Sequence, residues 1–124
     1  MQLICDDCNN NILTFKELIK KINNVANVNE WRIEEFEAIP VNSDDWSGIG
    51  VVSDSSSQKL YEFNQRLLDN HLVILRHSEF LTFLENIRSI FYTKIYFFVS
   101  NQKCVITVLD GDIIEIYGFI ETLL

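Results

Sequence analysis

The sequence predicts a single α+β domain, with helices packed on a central mixed or antiparallel sheet. Three observations lead there. Amphipathic helical stretches alternate with short apolar runs through the first two-thirds of the chain. The last third reads as strands joined by tight turns. Finally, 124 residues with 48% hydrophobic content suffice for one cooperative core. The expected organisation is one domain over 1–124, with about three helices and a C-terminal β-meander.

The opening "MQLIC" reads as a short strand, and "DDCNNN" as a turn-like cluster rather than a helix start. Thr14 is placed as a helix N-cap with Glu17 at the capping-box position, where a carboxylate returns a hydrogen bond to the cap amide. Leu18, Ile19, Ile22 and Val25 follow at helical spacing, with Lys16, Lys20 and Lys21 facing away. "EWRIEEFEAI" has strand composition, but its alternation slips. Trp31 and Ile33 share one face while Phe36 and Ala38 fall on the other, so a bulge or phase change is expected near Glu34. Pro40 indicates an edge position or a strand end. "GIGVVS" reads as a further short strand. Ser56 or Ser57 starts the next helix, with Leu60, Phe63, Leu67 and Leu68 inward. The continuous apolar run in "HLVILRH" predicts a buried strand. Ser78 then caps a helix over "EFLTFLENIRSIF". "KIYFFVS", "CVITVL" and "IIEIYG" form the meander, turning at "NQK" and at "DGD", whose Asp-Gly pair is a hairpin signature.

Composition restricts function. A net charge of -8 repels phosphate backbones and anionic lipid, so nucleic acid and membrane are not expected partners, whereas a basic protein is. "MQLICDDC" lacks the basic start of a signal peptide, and runs such as "IYFFVS" are too short to span a bilayer. Three cysteines, an odd number, fit a reducing compartment better than a disulfide framework, so a cytoplasmic location is expected.

Few residues carry a chemical signature. Cys5 and Cys8 form a CxxC pair with the spacing of a zinc half-site, which His71, His77 or Cys104 would have to complete. For redox use the first thiol needs a helix N-terminus or a cation, and Asp6 and Asp7 supply the opposite charge. Asp110 and Asp112 are explained by their hairpin, and no calcium-loop spacing accompanies them or Asp44, Asp45 and Asp54. Ser55, Ser56 and Ser57 lack a nucleophile-elbow context, and "GIG" lacks the third glycine of a dinucleotide loop. His71 and His77 read as boundary residues at the two ends of a strand. No catalytic residue, metal or cofactor is assigned.

What stands out is charge placement. Between Glu30 and Asp54, seven carboxylates face one base, Arg32, which accounts for most of the net charge. Both tryptophans, Trp31 and Trp46, lie in that segment. An idle strand edge kept from pairing by like charge would look this way. So would an acidic rim around an aromatic anchor, the anatomy of a hot spot for a basic protein. The candidate partner-binding residues are Glu34, Glu35, Glu37, Asp44, Asp45, Trp46 and Asp54.

In size, acidity and the segment "EEFEAIPVNSDDW", the chain resembles bacterial toxin-immunity proteins such as those of contact-dependent growth inhibition. The resemblance implies a non-catalytic inhibitor that binds a cognate toxin, commonly a basic nuclease, with carboxylates standing in for phosphates. A small zinc or redox protein using Cys5 and Cys8, and an intracellular interaction domain with another partner, are the competing expectations.

Overall fold

Alternating burial along the strands divides one six-stranded sheet into a covered face and an open face. A computed structural model of the chain describes residues 1–41 and 55–124. Its elements are β1 (Gln2–Ile4), α1 (Ile12–Ala26), β2 (Glu30–Pro40), α2 (Ser55–Asn70), β3 (Val73–Arg76), α3 (His77–Leu84), β4 (Ile87–Val99), β5 (Gln102–Leu109) and β6 (Ile113–Tyr117). A 3-10 turn over Phe119–Thr122 follows. The strands lie in the order β1-β6-β5-β4-β2-β3, and every neighbouring pair is antiparallel. The α+β class therefore holds, with the antiparallel alternative realised and β4–β5–β6 forming the expected meander.

The covered face carries Trp31, Ile33, Phe36 and Ala38 of β2, Ile95 and Phe97 of β4, and the isoleucines Ile106, Ile114 and Ile116 of β5 and β6, all buried. Aromatic rings join this face to the helices. Phe15 of α1 meets Phe80 of α3 edge-on at 6.2 Å, and Phe80 lies 5.8 Å from Trp31. Phe36 packs between Phe63 of α2 at 5.3 Å and Phe83 of α3 at 5.5 Å. Each such pair adds about 1 kcal/mol beyond the area it buries. The buried side chains form one continuous cluster drawn from both layers.

Several element boundaries differ from the sequence reading. Helix α1 begins at Ile12, so Thr14 lies inside it and "NNN" does abut a helix start. Asn11 occupies the cap position without capping, because its side chain turns into the core. Its Nδ2 donates to the Ile90 carbonyl at 2.7 Å and the Gly111 carbonyl at 2.9 Å, and its Oδ1 accepts from the Ile90 amide at 2.8 Å. The expected α3 is cut short: "IRSIF" belongs to β4, with Ile87 and Ile90 buried against the helices. β3 is an edge strand with alternating burial rather than a strand buried on both faces. It pairs with β2 alone among the described residues, so its other edge has no neighbouring strand. Val25 and Leu68, expected inward, are exposed, because α1 and α2 each rest on the sheet through a narrower stripe than an all-apolar reading assumes. The "GIGVVS" strand lies outside the described residues.

The turns follow their chemistry. Ser100 and Asn101 both take positive φ between Val99 and Gln102, the two-residue hairpin form that matches strand twist. Asp110 and Gly111 also take positive φ, in a three-residue turn between the paired Leu109 and Ile113. Gly111 is also sterically fixed, since a Cβ there would sit 3.1 Å from Cys8. This turn and the start of α1 are therefore built around one another.

Candidate functional site

The site is set by a bulge in β2. Ile33 pairs with Ile95 and Glu35 with Lys94, so Glu34 is the extra residue. Inserting one residue corrects the phase slip: Trp31 and Ile33 before it, and Phe36 and Ala38 after it, all reach the covered face. Thr93, fully buried on β4, donates its hydroxyl to the Glu35 carbonyl at 2.6 Å and thereby satisfies the backbone group that the irregularity would leave unpaired. The consequence is that Glu34, Glu35 and Glu37 are directed away from the helical layer.

The open face is a grid of cross-strand rows. In one row Ile74, Arg32, Tyr96, Val105 and Tyr117 lie side by side across β3, β2, β4, β5 and β6. In the next, Glu35, Lys94, Thr107, Glu115 and Gln2 follow. Glu37 opposite Tyr92 begins a third, and Phe98 opposite Lys103 belongs to a fourth at the other end. No helix among the described residues covers this face. Phe98 is 46% exposed and Tyr117 49%.

Contacts across the grid are electrostatic. Lys94 Nζ lies 3.6 Å from Glu34, and Arg32 lies 3.4 Å from Glu30. The Arg32 guanidinium sits 5.2 Å from the Phe98 ring centre and 6.0 Å from that of Tyr96, while Lys103 Nζ is 4.4 Å over Tyr96 from the other neighbouring strand. The Tyr92 phenol is held above its ordinary pKa, first by its hydrogen bond to the Glu35 carboxylate, then by burial and the charges of Glu35 and Glu37. Glu35 and Glu37 are both exposed, and among the described residues neither forms an ion pair.

Of the seven sequence-derived candidates, the bulge brings together Glu34, Glu35 and Glu37. Asp44, Asp45, Trp46 and Asp54 lie outside the described residues. Trp31 is no anchor: it is fully buried, and its Nε1 donates to His77 Nδ1 at 3.2 Å. Tyr92, Tyr96 and Phe98 are the aromatic members that sequence reasoning passed over. Their signal was period-two alternation with Thr93, Ile95, Phe97 and Val99: Tyr96 and Phe98 lie in "KIYFFVS", read as a strand, and Tyr92 lies just beyond the "IRSIF" stretch assigned to a helix.

Other constellations are less organised. His71, at the end of α2, shares a shallow cleft of about 430 Å³ with Glu34, Glu35 and Tyr96, but no hydrogen bond joins it to either carboxylate among the described residues. A second cleft, about 450 Å³, runs between α2 and α3 over Phe63, Leu75 and Phe83, with Lys59, Glu62, Arg66 and Glu79 at its rim. Cys5 is buried and its thiol is pushed above the usual range by burial, then by Asp112 and Asp6, as the acidic spacer suggested. Cys8 is exposed, and the three cysteines are free. Among the described residues no three His, Cys, Asp or Glu side chains converge as a metal site, and no helix is long and apolar enough to cross a membrane.

Comparison with protein-family models, with characterised proteins and with solved structures finds no match to this chain.

Proposed function

We propose that this chain is a non-catalytic, immunity-type inhibitor that binds a basic toxin, of which a nuclease is the leading class, through the acidic end of its open sheet face. One observation carries the reading: a bulge stapled by Thr93 puts Glu34, Glu35 and Glu37 together on the face that no helix covers among the described residues, beside Tyr92. A rigid sheet presents carboxylates at fixed spacing, which favours electrostatically steered association and complementarity to a cationic surface. Aromatic side chains beside them supply area at low conformational cost. An interaction domain for some other basic protein would use the same residues, and the partner's identity separates the two.

The test is co-expression with the product of the adjacent gene, read as growth. Wild-type chain should restore growth, and Glu35→Lys/Glu37→Lys, shown folded by circular dichroism, should fail to. Binding to the same product should weaken at least tenfold, about 1.4 kcal/mol. Undiminished protection by the double variant, or a neighbouring product whose toxicity the chain does not relieve, refutes the reading.

A further inference from the structure

The open face is polarised along its strands. At one end stand Arg32, Lys103 and Arg76, with Glu30 the carboxylate among them in the described residues. At the other stand Glu34, Glu35, Glu37 and Glu115, with Lys94 the cation beside them among the described residues. Between and around these charges the face is apolar or aromatic, and Phe98, Tyr117 and Ile74 are each close to half exposed. A polarised, partly apolar face has a specific geometric property. Rotation by a half-turn about an axis in its plane, perpendicular to the strands, turns it over and reverses its polarity. The cationic end of one copy then meets the acidic end of another.

We propose that this open sheet face is self-complementary and that the chain forms a two-fold homodimer through it, sheet on sheet. Placing the axis between the row of Arg32 and the row of Glu35 fixes the contacts. Arg32 faces Glu35 of the other copy, Lys94 faces the ring of Tyr96, and Phe98 faces Tyr92. Each contact occurs twice, as an isologous interface demands. Glu30 approaches Glu37 of the other copy, and Arg76, which pairs with Glu30 across β2 and β3, sits beside that approach. Antiparallel sheets pack about 10 Å apart with strands near alignment, a spacing that long side chains fill.

Size sets the strength. Five strands at about 4.8 Å and four rows at about 6.8 Å give a face roughly 20 Å on a side. That is the small end of interfaces, where roughly 800 Å² per partner is standard. Association is therefore concentration-dependent, in the micromolar range or weaker. The net charge of -8 on each copy adds long-range repulsion, which physiological salt screens beyond about 8 Å while leaving the close pairs. The dimer requires no other protein; any partner docking on Glu35 and Glu37 must displace the second copy.

Sedimentation of the purified chain at physiological salt, from micromolar to submillimolar, tests this directly. The mass should rise from 14.5 kDa toward twice that value. Arg32→Glu and Glu35→Arg should each remain monomeric over the range. Combining them restores complementarity with reversed polarity, so the double variant should dimerise again. A variant-free check is dilution of labelled wild type monitored by NMR: shifts should concentrate at Arg32, Tyr92, Tyr96 and Phe98. A wild type monomeric throughout, a double variant that stays monomeric while folded, or dilution shifts on the helices instead of the open face would each overturn the inference.

Discussion

His77 and Trp31 show how one side chain ties pH to stability. His77 is the first residue of α3 and half buried, and its Nδ1 accepts the indole N–H at 3.2 Å, so the ring that fits here is neutral. Protonation would set two N–H groups against each other, and burial already lowers the His77 pKa below 6.5. The unfolded chain then binds the proton more readily than the folded one. Stability from this residue is present above the unfolded value and is lost as pH falls through the folded one. The urea midpoint should be lower at about pH 5.5 than at about pH 7.5, and His77→Gln, which still accepts from Trp31 without titrating, should flatten the difference. An unchanged slope in that variant would remove His77 as the cause. Neither this pair nor the Asn11 clamp was legible in sequence. Trp31 lies 46 residues from His77, and Asn11 lies 79 from Ile90 and 100 from Gly111. A polar residue held by distant backbone groups leaves no local periodicity.

Among the elements, β2 was the most legible and β4 the least. The slip between Ile33 and Phe36 marked the bulge because burial on one face makes strand phase readable, and the Asp-Gly turn announced its own geometry. β4 was obscured because α3 ends at Leu84 and a strand starts at Ile87 after only two residues, and "ENIRSIF" satisfies either period over so short a run. The acidic site was therefore half visible: its carboxylates came from β2, while Tyr92 lies just beyond the stretch read as helix. Thr93 joins the two. Thr93→Val keeps shape but removes the hydroxyl that binds the Glu35 carbonyl, leaving a buried acceptor unmatched. The expected cost is about 1–2 kcal/mol, read as a lower urea midpoint at unchanged slope. Amide exchange should quicken first at Glu34 and Glu35; loss spread evenly over the sheet would show that Thr93 supports packing rather than the bulge.

For the whole molecule, net charge and local ion pairs respond to salt with opposite signs. A charge of -8 destabilises the compact state by self-repulsion, which salt relieves. The pairs Lys94–Glu34 and Arg32–Glu30 are weakened by the same salt, but both are partly exposed, with separations of 3.6 and 3.4 Å, and such pairs contribute about 0–1 kcal/mol each. The repulsion involves many carboxylates and acts over distance, so it wins. Raising NaCl from about 10 to about 150 mM shortens the screening length from about 30 to about 8 Å and should raise the thermal midpoint. A gain of about 1 kcal/mol corresponds to about 4 °C for a chain of this size. The melt belongs at concentrations dilute enough to keep the chain monomeric, so that self-association adds nothing. Glu35→Gln/Glu37→Gln removes two acids that form no ion pair among the described residues, and its midpoint should start higher and gain less from salt. A wild-type midpoint that falls with salt would mean the cross-strand ion pairs, rather than net repulsion, dominate the electrostatics of this fold.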